Sequence, residues 1–188
     1  MKILFKLINL FLSVIRRIRN ITCTSYWRLF VNAIGKNSKF YYGSRFNYPE
    51  RISVGENCLI EFGATFSSET NQGYLILGNF VKVNRDVFLD FTGGLEVGNH
   101  VVISKESYII THSHGYDPLS KPEGRKLVIG DNVWIGAKAI ICENVSYVGK
   151  NSIIAAGSVV TKNVEDNTIV GGNPAKFIKN LSPKVDEE

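Results

Sequence analysis

The residues best suited to acid–base chemistry in this 188-residue chain are its three histidines, His100, His112 and His114. Imidazole changes charge near neutral pH, and histidine is therefore the usual general base for a hydroxyl or amine proton. His100 lies inside a regular repeat and is interpreted as a surface residue, whereas His112 and His114 lie where that repeat opens into a loop. A His-x-His pair can also bind a metal, but two further protein ligands of a closed site are not evident, so no metal is expected.

The histidines are embedded in a sequence repeat with a period of six, which is clearest over residues 129–165. Successive blocks open with Ile or Val, as at Ile129, Ile135 and Ile141, and the fifth position of each block is small or β-branched. This period matches neither the 3.6-residue period of a helix nor the 2-residue period of a free strand. It predicts a solenoid whose coils have three walls, each built from one short strand and a turn.

The same pattern divides the chain into four segments. Hexapeptide repeats are expected over residues 54–165, with a polar loop at residues 115–127 projecting from the wall. Residues 1–20 are predicted to form a basic amphipathic helix, and residues 21–53 a capping segment with an irregular first coil. Residues 166–188 are predicted to form a C-terminal extension. Because long loops on a rigid scaffold usually carry function, the projecting loop is the expected location of the active site.

Three segments of the repeat resemble a known protein family. They are Ile129-Gly-Asp-Asn-Val-Trp-Ile-Gly-Ala, Ile154-Ala-Ala-Gly-Ser-Val-Val-Thr-Lys and Val170-Gly-Gly-Asn-Pro-Ala-Lys, which are similar to motifs of the hexapeptide-repeat acyltransferases. Within that family the chain looks most like the maltose/galactoside acetyltransferase and polysaccharide O-acetyltransferase branch. The resemblance covers residues 50–180. It implies an all-β, left-handed parallel β-helix, a homotrimer, and acetyl-CoA as acyl donor.

The resemblance also implies which histidine is catalytic. His114 takes the sixth position of the hexad that starts at Ile109, where the family's catalytic histidine falls, and His112 takes a variable position. His114 is therefore expected to be the general base. Its other ring nitrogen needs an orienting partner, and Asp117, Glu123 or a backbone carbonyl would each serve.

The donor side of the site is implied by the motifs that follow the loop. The amide of Ala137 is the expected oxyanion donor, and Gly136 keeps the approach to it open. Trp134 would flank the pantetheine arm or the acceptor pocket, or would simply pack at a trimer interface. Further contacts with coenzyme A are expected from Ala156, Thr161, Lys162, Lys176 and Lys179. The last two would meet the nucleotide phosphates, unless they are ordinary solvated lysines.

The acceptor side is implied by Asn84 and Asp90, which match family positions near the sugar and are expected to bind the substrate. The helical region that precedes the repeats in maltose-type enzymes is replaced here by the basic segment, which favours a larger or membrane-linked glycan. The expected activity is acetyl-CoA-dependent O-acetylation of a sugar hydroxyl in a bacterial surface polysaccharide or its precursor. The alternatives are N-acetylation of a nucleotide-linked amino sugar and a non-catalytic scaffold, against which the intact donor motifs argue.

The N-terminal segment is apolar apart from a stripe of polar residues spaced alternately four and three apart, Lys2, Lys6, Asn9, Ser13, Arg16 and Asn20. This spacing predicts one polar face on a helix. The apolar run is interrupted too early to span a membrane, which takes about 20 residues, and it offers no small-residue cleavage site of a leader peptide. The helix is expected either to lie on the cytoplasmic membrane face or to cap the solenoid or a trimer neighbour.

Composition adds limits on partners and location. The formal net charge of +5 suits either solubility or attraction to phosphates, an anionic glycan or a membrane, and no nucleic-acid-binding module is recognisable. The three cysteines, Cys23, Cys58 and Cys142, lack paired or metal-ligand spacing. Such a set is typical of a reducing compartment, so a cytoplasmic protein, with a possible peripheral membrane contact, is expected.

Overall fold

The computed structural model describes residues 1–182, in which an N-terminal helix precedes a three-walled solenoid. The predicted fold, a parallel β-helix of hexapeptide repeats with an amphipathic helix before it, is confirmed. Strands in each wall pair in parallel with the strands one coil before and one coil after. The end of the predicted C-terminal extension, residues 183–188, lies outside the described residues.

The strands are numbered in chain order and divide among the three walls. The first wall contains β1 (Ala33–Ile34), β4 (Ile52–Val54), β7 (Leu75–Leu77), β10 (Leu95–Val97), β15 (Leu127–Ile129) and β18 (Tyr147–Val148). The second wall contains β2 (Lys39–Phe40), β5 (Leu59–Ile60), β8 (Lys82–Val83), β11 (Val102–Ile103), β16 (Trp134–Ile135), β19 (Ile153–Ile154), β21 (Thr168–Gly172) and β22 (Ala175–Asn180). The third wall contains β3 (Arg45–Phe46), β6 (Thr65–Ser67), β9 (Phe88–Asp90), β12 (Tyr108–Ile109), β17 (Ile140–Ile141) and β20 (Val159–Val160).

Three elements lie outside the walls. Helix α1 spans Lys2–Trp27, and a short 3-10 helix spans Pro49–Arg51. An antiparallel hairpin of β13 (His112–Ser113) and β14 (Glu123–Gly124) projects from the fourth coil. Residues 114–122, which include most of the predicted loop at 115–127, connect these two strands, and the regular wall resumes at Leu127.

The interior of the solenoid is filled by the repeat positions that the sequence indicates. Ile135, Ile141 and Ile154 open their hexads and are fully buried. The fifth positions are buried as well, and the polar ones among them bond to the backbone, as Ser152 does to the carbonyl of Gly149. Because buried hydroxyls that find acceptors cost little, serine is tolerated at these crowded corners.

Near the N-terminal end the core is aromatic rather than aliphatic. Phe46 packs edge-on against Phe66 and Phe40, with ring centroids 4.7 and 5.4 Å away, and Trp27 of α1 packs against Phe46 at 4.4 Å. Phe40 and Phe66 are fully buried. Through these ring contacts, the helix packs against the first two coils.

Truncation of Phe66 to alanine is expected to lower the free energy of unfolding by about 3–5 kcal/mol, the usual cost of removing a buried phenyl ring. Chemical denaturation at a fixed protein concentration measures the change. Phe62→Ala is the matched control, because that side chain is 48% exposed and its loss should cost far less. Equal losses from the two variants would contradict a core at this position.

Two predicted boundaries need correction at the N-terminal end. The helix continues to Trp27 rather than ending at residue 20, because its last turns find packing partners on the solenoid. The first coil is regular from Ala33 rather than irregular to residue 53: β1, β2 and β3 pair in register with β4, β5 and β6. Phenylalanines take the inward positions that Ile or Val take later, which hides the hexad pattern from the sequence.

A third correction concerns the C-terminal end. β21 pairs in parallel with β19, and β22 folds back against β21, so residues 168–180 extend the second wall instead of leaving the solenoid. The pattern is hard to recognise because β21 is five residues long and joins a hairpin. The solenoid therefore ends with a two-stranded cap on one wall.

The two ends of α1 have different surroundings. Residues 1–19 are exposed, whereas Asn20, Cys23, Thr24 and Trp27 form the face that contacts the solenoid. The Thr24 hydroxyl accepts the Phe40 N–H at 3.0 Å and donates to its carbonyl at 3.1 Å, which satisfies backbone groups at the edge of the first coil. None of the helices in residues 1–182 combines the length and apolar character needed to cross a membrane.

Candidate active site

The third and first walls meet at a corner that collects Glu69, Asp90, His112 and His114, here called the histidine cluster. Glu69 lies in the excursion between β6 and β7, and Asp90 ends β9. His112 is in β13, and His114 follows that strand. Three successive coils therefore contribute to one group of titratable side chains.

Close backbone contact holds the hairpin against the preceding coil. The N–H of Arg125 donates to the carbonyl of Thr111 at 2.7 Å, across the base of the hairpin. A Cβ on Gly93 would lie only 2.1 Å from the Arg125 nitrogen, and one on Gly124 only 2.7 Å from the Gly93 Cα. Both positions therefore require glycine, and their contact fixes where the histidines project.

Asp90 is the buried anchor of the cluster, with only 2% of its surface exposed. Its carboxylate accepts bonds from the Thr92 hydroxyl at 2.5 Å and the Thr92 N–H at 3.1 Å. It also accepts from the N–H and hydroxyl of Thr111, at 2.6 and 2.9 Å. Burial by itself would raise the pKa of Asp90, but the hydrogen bonds from Thr92, His112 and Thr111 outweigh it and lower the pKa below its ordinary value.

The carboxylate of Asp90 orients a neighbouring histidine ring. Its Oδ2 lies 2.8 Å from Nδ1 of His112, and that ring nitrogen must donate because the carboxylate is ionised. Both carboxylate oxygens are engaged by the protein, and the role of Asp90 in substrate binding stays a prediction. An acid–histidine pair of this kind fixes the ring orientation and leaves Nε2 unprotonated in the neutral form.

His114 is oriented by the hairpin loop itself. Its Nδ1 lies 2.7 Å from the carbonyl oxygen of Ser120, and the Ser120 hydroxyl donates back to the His114 carbonyl at 2.7 Å. Of the three orienting partners left open by the sequence, the loop uses a backbone carbonyl. Asp117 instead accepts the Leu119 N–H and shapes the loop. Because a carbonyl only accepts, Nδ1 carries the proton and Nε2 of neutral His114 presents a lone pair.

Glu69 completes the cluster and is the residue that sequence reasoning missed. Its Oε1 lies 3.3 Å from Nε2 of His112, and its Oε2 lies 3.1 Å from Nε2 of His114. The Glu69 N–H donates to the Thr92 hydroxyl at 2.9 Å, so Thr92 links Glu69 with Asp90. The only available sequence signal was the polar break in the hexads around residue 69, one coil before Asp90.

The predicted oxyanion and pantetheine residues lie at a different corner, between the second and third walls. Gly136 and Ala137 follow β16, Ala156 follows β19, and Asn84 follows β8, so they stack in different coils of one edge. Within residues 1–182 the Ala137 N–H has no hydrogen-bond acceptor, so it is available to a ligand. Trp134 is 53% exposed on the outer face of the second wall, where its indole N–H donates to Ser104 at 3.0 Å. One chain therefore does not bring these residues to the histidine cluster.

The predicted phosphate-binding lysines lie on the terminal hairpin. Lys176 and Lys179 are exposed, and they pair with Gly171 and Ile169 of β21. Lys176 and Lys179 are three residues apart, which would place them on opposite faces of a regular strand. A register shift between Ile169 and Val170 removes this alternation between the two lysines. Because their partners are two residues apart, both lysines lie on one face. Thr161 and Lys162 follow β20, and Lys162 is exposed.

Comparison of the sequence with known proteins shows the family to which the chain belongs. Residues 126–162 match the model described as bacterial transferase hexapeptide (six repeats). YJL218W of Saccharomyces cerevisiae, to which acetyltransferase activity is ascribed, is 35% identical over 136 residues, which cover 70% of this chain and 67% of that protein. The chain belongs to the hexapeptide-repeat transferase family.

Two further relatives are bacterial proteins. Galactoside O-acetyltransferase of Lactococcus lactis is 35% identical over 69% of this chain, and the match spans 63% of that enzyme, less than two thirds of its length. WbbJ of Escherichia coli, to which O-acetyl transfer in lipopolysaccharide biosynthesis is ascribed, is 29% identical over 64% of this chain and 71% of that protein.

The fold comparison agrees with the sequence comparison. The crystal structure of AntD, an N-acyltransferase from Bacillus cereus, in complex with dTDP and 3-hydroxybutyryl-CoA, superposes with a TM-score of 0.76. It covers 86% of this chain and 89% of AntD at 22% identity, which establishes a shared hexapeptide-repeat fold. The family-model match itself covers the coils that contain Trp134, Gly136, Ala137 and Ala156.

Proposed function

We propose that this protein is an acetyl-CoA-dependent O-acetyltransferase that acts on a sugar hydroxyl of a surface polysaccharide or its precursor. The observation that carries the proposal is the orientation of His114, whose Nδ1 faces a carbonyl oxygen and whose Nε2 points into the cluster. That arrangement suits a general base, and it occurs in a hexapeptide-repeat chain with the family's donor motifs. The sugar O-acetyltransferases among its relatives support the same acceptor class.

In the proposed reaction, Nε2 of His114 takes the proton of the acceptor hydroxyl as its oxygen attacks the thioester carbonyl. The negative charge that develops on the carbonyl oxygen is stabilised by the Ala137 N–H. Collapse breaks the carbon–sulfur bond, and the protonated His114 returns the proton to the thiolate. Before the attack, the acceptor hydroxyl has to replace the Glu69 carboxylate, which lies 3.1 Å from Nε2 of His114.

The donor is proposed to lie along the edge that carries Ala137 and Ala156. The Ala137 N–H, which has no acceptor among residues 1–182, is a hydrogen-bond donor suited to a thioester. The two lysines on one face of β22 provide positive charge suited to phosphates. CoA and 3-hydroxybutyryl-CoA are named as ligands of AntD structures, which supports a donor of this class. Asn84 shares that edge and is proposed to contact the acceptor.

A homotrimer is proposed because one chain separates the two halves of the site. The histidine cluster lies at the corner of the third and first walls, while Ala137 lies at the corner of the second and third walls. Neighbouring copies around a three-fold axis would bring one corner of each chain to a different corner of the next. Each active site would then combine residues from two subunits.

Mixing two inactive variants tests this arrangement. His114→Ala chains and chains with Lys176→Glu and Lys179→Glu are each expected to be poorly active, and exchange of their subunits should restore part of the activity. The gain arises because some interfaces then pair an intact histidine with an intact donor edge. Sedimentation measures the assembly state of each sample. A fully active monomer, or exchange that restores no activity, would contradict a site between subunits.

N-acylation of an amino sugar is the second candidate, because AntD is an N-acyltransferase whose structures contain dTDP-4-amino-4,6-dideoxyglucose. An amine acceptor also loses a proton, so the same histidine would serve. Incubation with labelled acetyl-CoA and a panel of glycans and nucleotide-linked amino sugars distinguishes the two. Label on hydroxyl-bearing glycans alone supports O-acetylation, whereas label on the amino sugars alone contradicts it.

A further inference from the structure

In the histidine cluster, the lone pairs of Glu69, His112 and His114 face one another. Nδ1 of His112 donates to the Asp90 carboxylate and Nδ1 of His114 donates to the Ser120 carbonyl, so both Nε2 atoms are acceptors in the neutral rings. The two Glu69 oxygens lie 3.3 and 3.1 Å from those nitrogens. Such a set of facing acceptors requires a cation between them, which is either a shared proton or a metal ion.

The geometry fits a metal ion. The ligand atoms of Glu69, His112 and His114 all lie within 4.8 Å of one another. Two ligands on a tetrahedral zinc ion, each about 2.1 Å from the metal, are separated by about 3.4 Å. Each Glu69 oxygen lies at a similar distance, 3.3 or 3.1 Å, from the histidine nitrogen that it faces. Three protein ligands with a fourth position left open is the usual composition of an open zinc site.

The atoms behind the ligands strengthen this assignment. Metal-binding histidines usually donate their second ring N–H to a carboxylate or a backbone carbonyl, which fixes the tautomer and the ring orientation. His112 uses the carboxylate of buried Asp90, and His114 uses the carbonyl of Ser120. The backbone of Glu69 is positioned by its N–H bond to the Thr92 hydroxyl, which also bonds to Asp90. Both histidine rings are therefore oriented before an ion binds.

We infer that Glu69, His112 and His114 bind one divalent transition-metal ion of the zinc type, and that this ion excludes proton transfer by His114. Two imidazoles and one carboxylate favour Zn²⁺ or Co²⁺ over Mg²⁺ and Ca²⁺, which prefer oxygen ligands. The exclusion follows because Nε2 has a single lone pair, which either coordinates the metal or accepts the acceptor's proton. This second part rests on the proposed function and makes the ion an inhibitor.

Titration of the full chain with Co²⁺, after dialysis against EDTA, tests the site without any enzyme assay. Visible d–d absorption should saturate at one Co²⁺ per chain, and Zn²⁺ should displace it. Glu69→Ala, His112→Ala and His114→Ala should each weaken binding at least tenfold. His100→Ala is the matched control, because it removes the remaining histidine, which stacks on Phe80 instead, and it should leave binding unchanged. Circular dichroism confirms that each variant is folded.

The outcomes separate this inference from the proposed function. The metal site is overturned if the unaltered chain shows no saturable Co²⁺ absorption, or if His100→Ala weakens Co²⁺ binding as much as the three ligand variants do. A proton shared between Glu69 and the histidines would then be the remaining explanation of the cluster. Acetyl transfer by metal-free protein would uphold the proposed function even then. Saturable binding without transfer to any acceptor would uphold the site and remove the function. If metal-free protein is inactive and recovers activity with Zn²⁺, the inference that the ion prevents proton transfer by His114 is overturned. If Zn²⁺ inhibits the enzyme, and Glu69→Ala needs at least tenfold more Zn²⁺ for the same inhibition, that inference is supported.

Discussion

Replacement of His114 by alanine is expected to lower kcat by about 10²–10⁴, the usual contribution of a general base. The ring is held by the Ser120 carbonyl so that Nε2 faces the cluster, and alanine removes the only proposed acceptor for the hydroxyl proton. The rate is measured at saturating acetyl-CoA with a soluble glycan that accepts label. KM for the donor should change little, because His114 lies on the acceptor side of the site.

The two other histidines are the controls for this prediction. His100→Ala should retain activity, since its ring stacks on Phe80 at 4.7 Å. His112→Ala is expected to have a small effect, because the His112 side chain is only 15% exposed, against 29% for His114. If His112→Ala proves more damaging than His114→Ala, the roles of the two histidines are reversed and the Asp90–His112 pair is the base.

The walls of the solenoid were predictable because the inward-facing pattern is local in sequence. Ile135, Ile141 and Ile154 recur at intervals that fix which residues stack, whatever the remainder of the chain does. The position of the hairpin followed from the same pattern, at the point where it lapses. The first coil escaped prediction because Phe40 and Phe46 take its inward positions, and aromatic residues do not repeat the aliphatic signature.

The histidine cluster could be predicted only in part, because its contacts join residues far apart in sequence. Asp90 is 22 residues from His112, and their bond depends on adjacent coils being in register. Glu69 lies in an irregular excursion, where no period indicates which way a side chain points. The sequence identified the histidines by their position in a hexad, but whether Asp90 faces a ligand or a ring nitrogen is decided by packing.

The exposed part of α1 predicts a second large effect, on membrane binding. Eleven large apolar side chains between Ile3 and Ile18 are exposed, and none of residues 1–19 is buried against the solenoid. Residues 1–19 contain five cations, Lys2, Lys6, Arg16, Arg17 and Arg19, and no acidic residue. These five equal the whole formal charge of +5, since the other 17 of the 22 Lys and Arg balance the 17 Asp and Glu. We therefore propose that this helix binds anionic lipid surfaces.

Deletion of residues 1–18 is expected to abolish flotation with phosphatidylglycerol vesicles. An interfacial helix combines apolar burial with about 1 kcal/mol per cation near the surface, so binding by the full chain should weaken as salt rises. The deletion ends before Arg19, which lies 4.3 Å over the Tyr42 ring, and before Asn20, whose side chain accepts the Tyr42 N–H. The truncated protein should therefore fold and acetylate a soluble acceptor normally, while losing activity on a lipid-linked glycan.

Paired variants separate charge from apolar contact in this experiment. Arg16→Gln with Arg17→Gln should reduce binding and its salt dependence but leave the apolar face intact, so partial flotation should remain. Leu4→Ser with Phe5→Ser and Leu7→Ser should weaken binding at every salt concentration. Equal flotation of full and truncated chains, or none from either, would contradict lipid binding. If the truncated chain then differs from the full chain in its assembly state, the apolar face of the helix forms a contact between copies of the chain. Such a contact would also remove this large apolar surface from water.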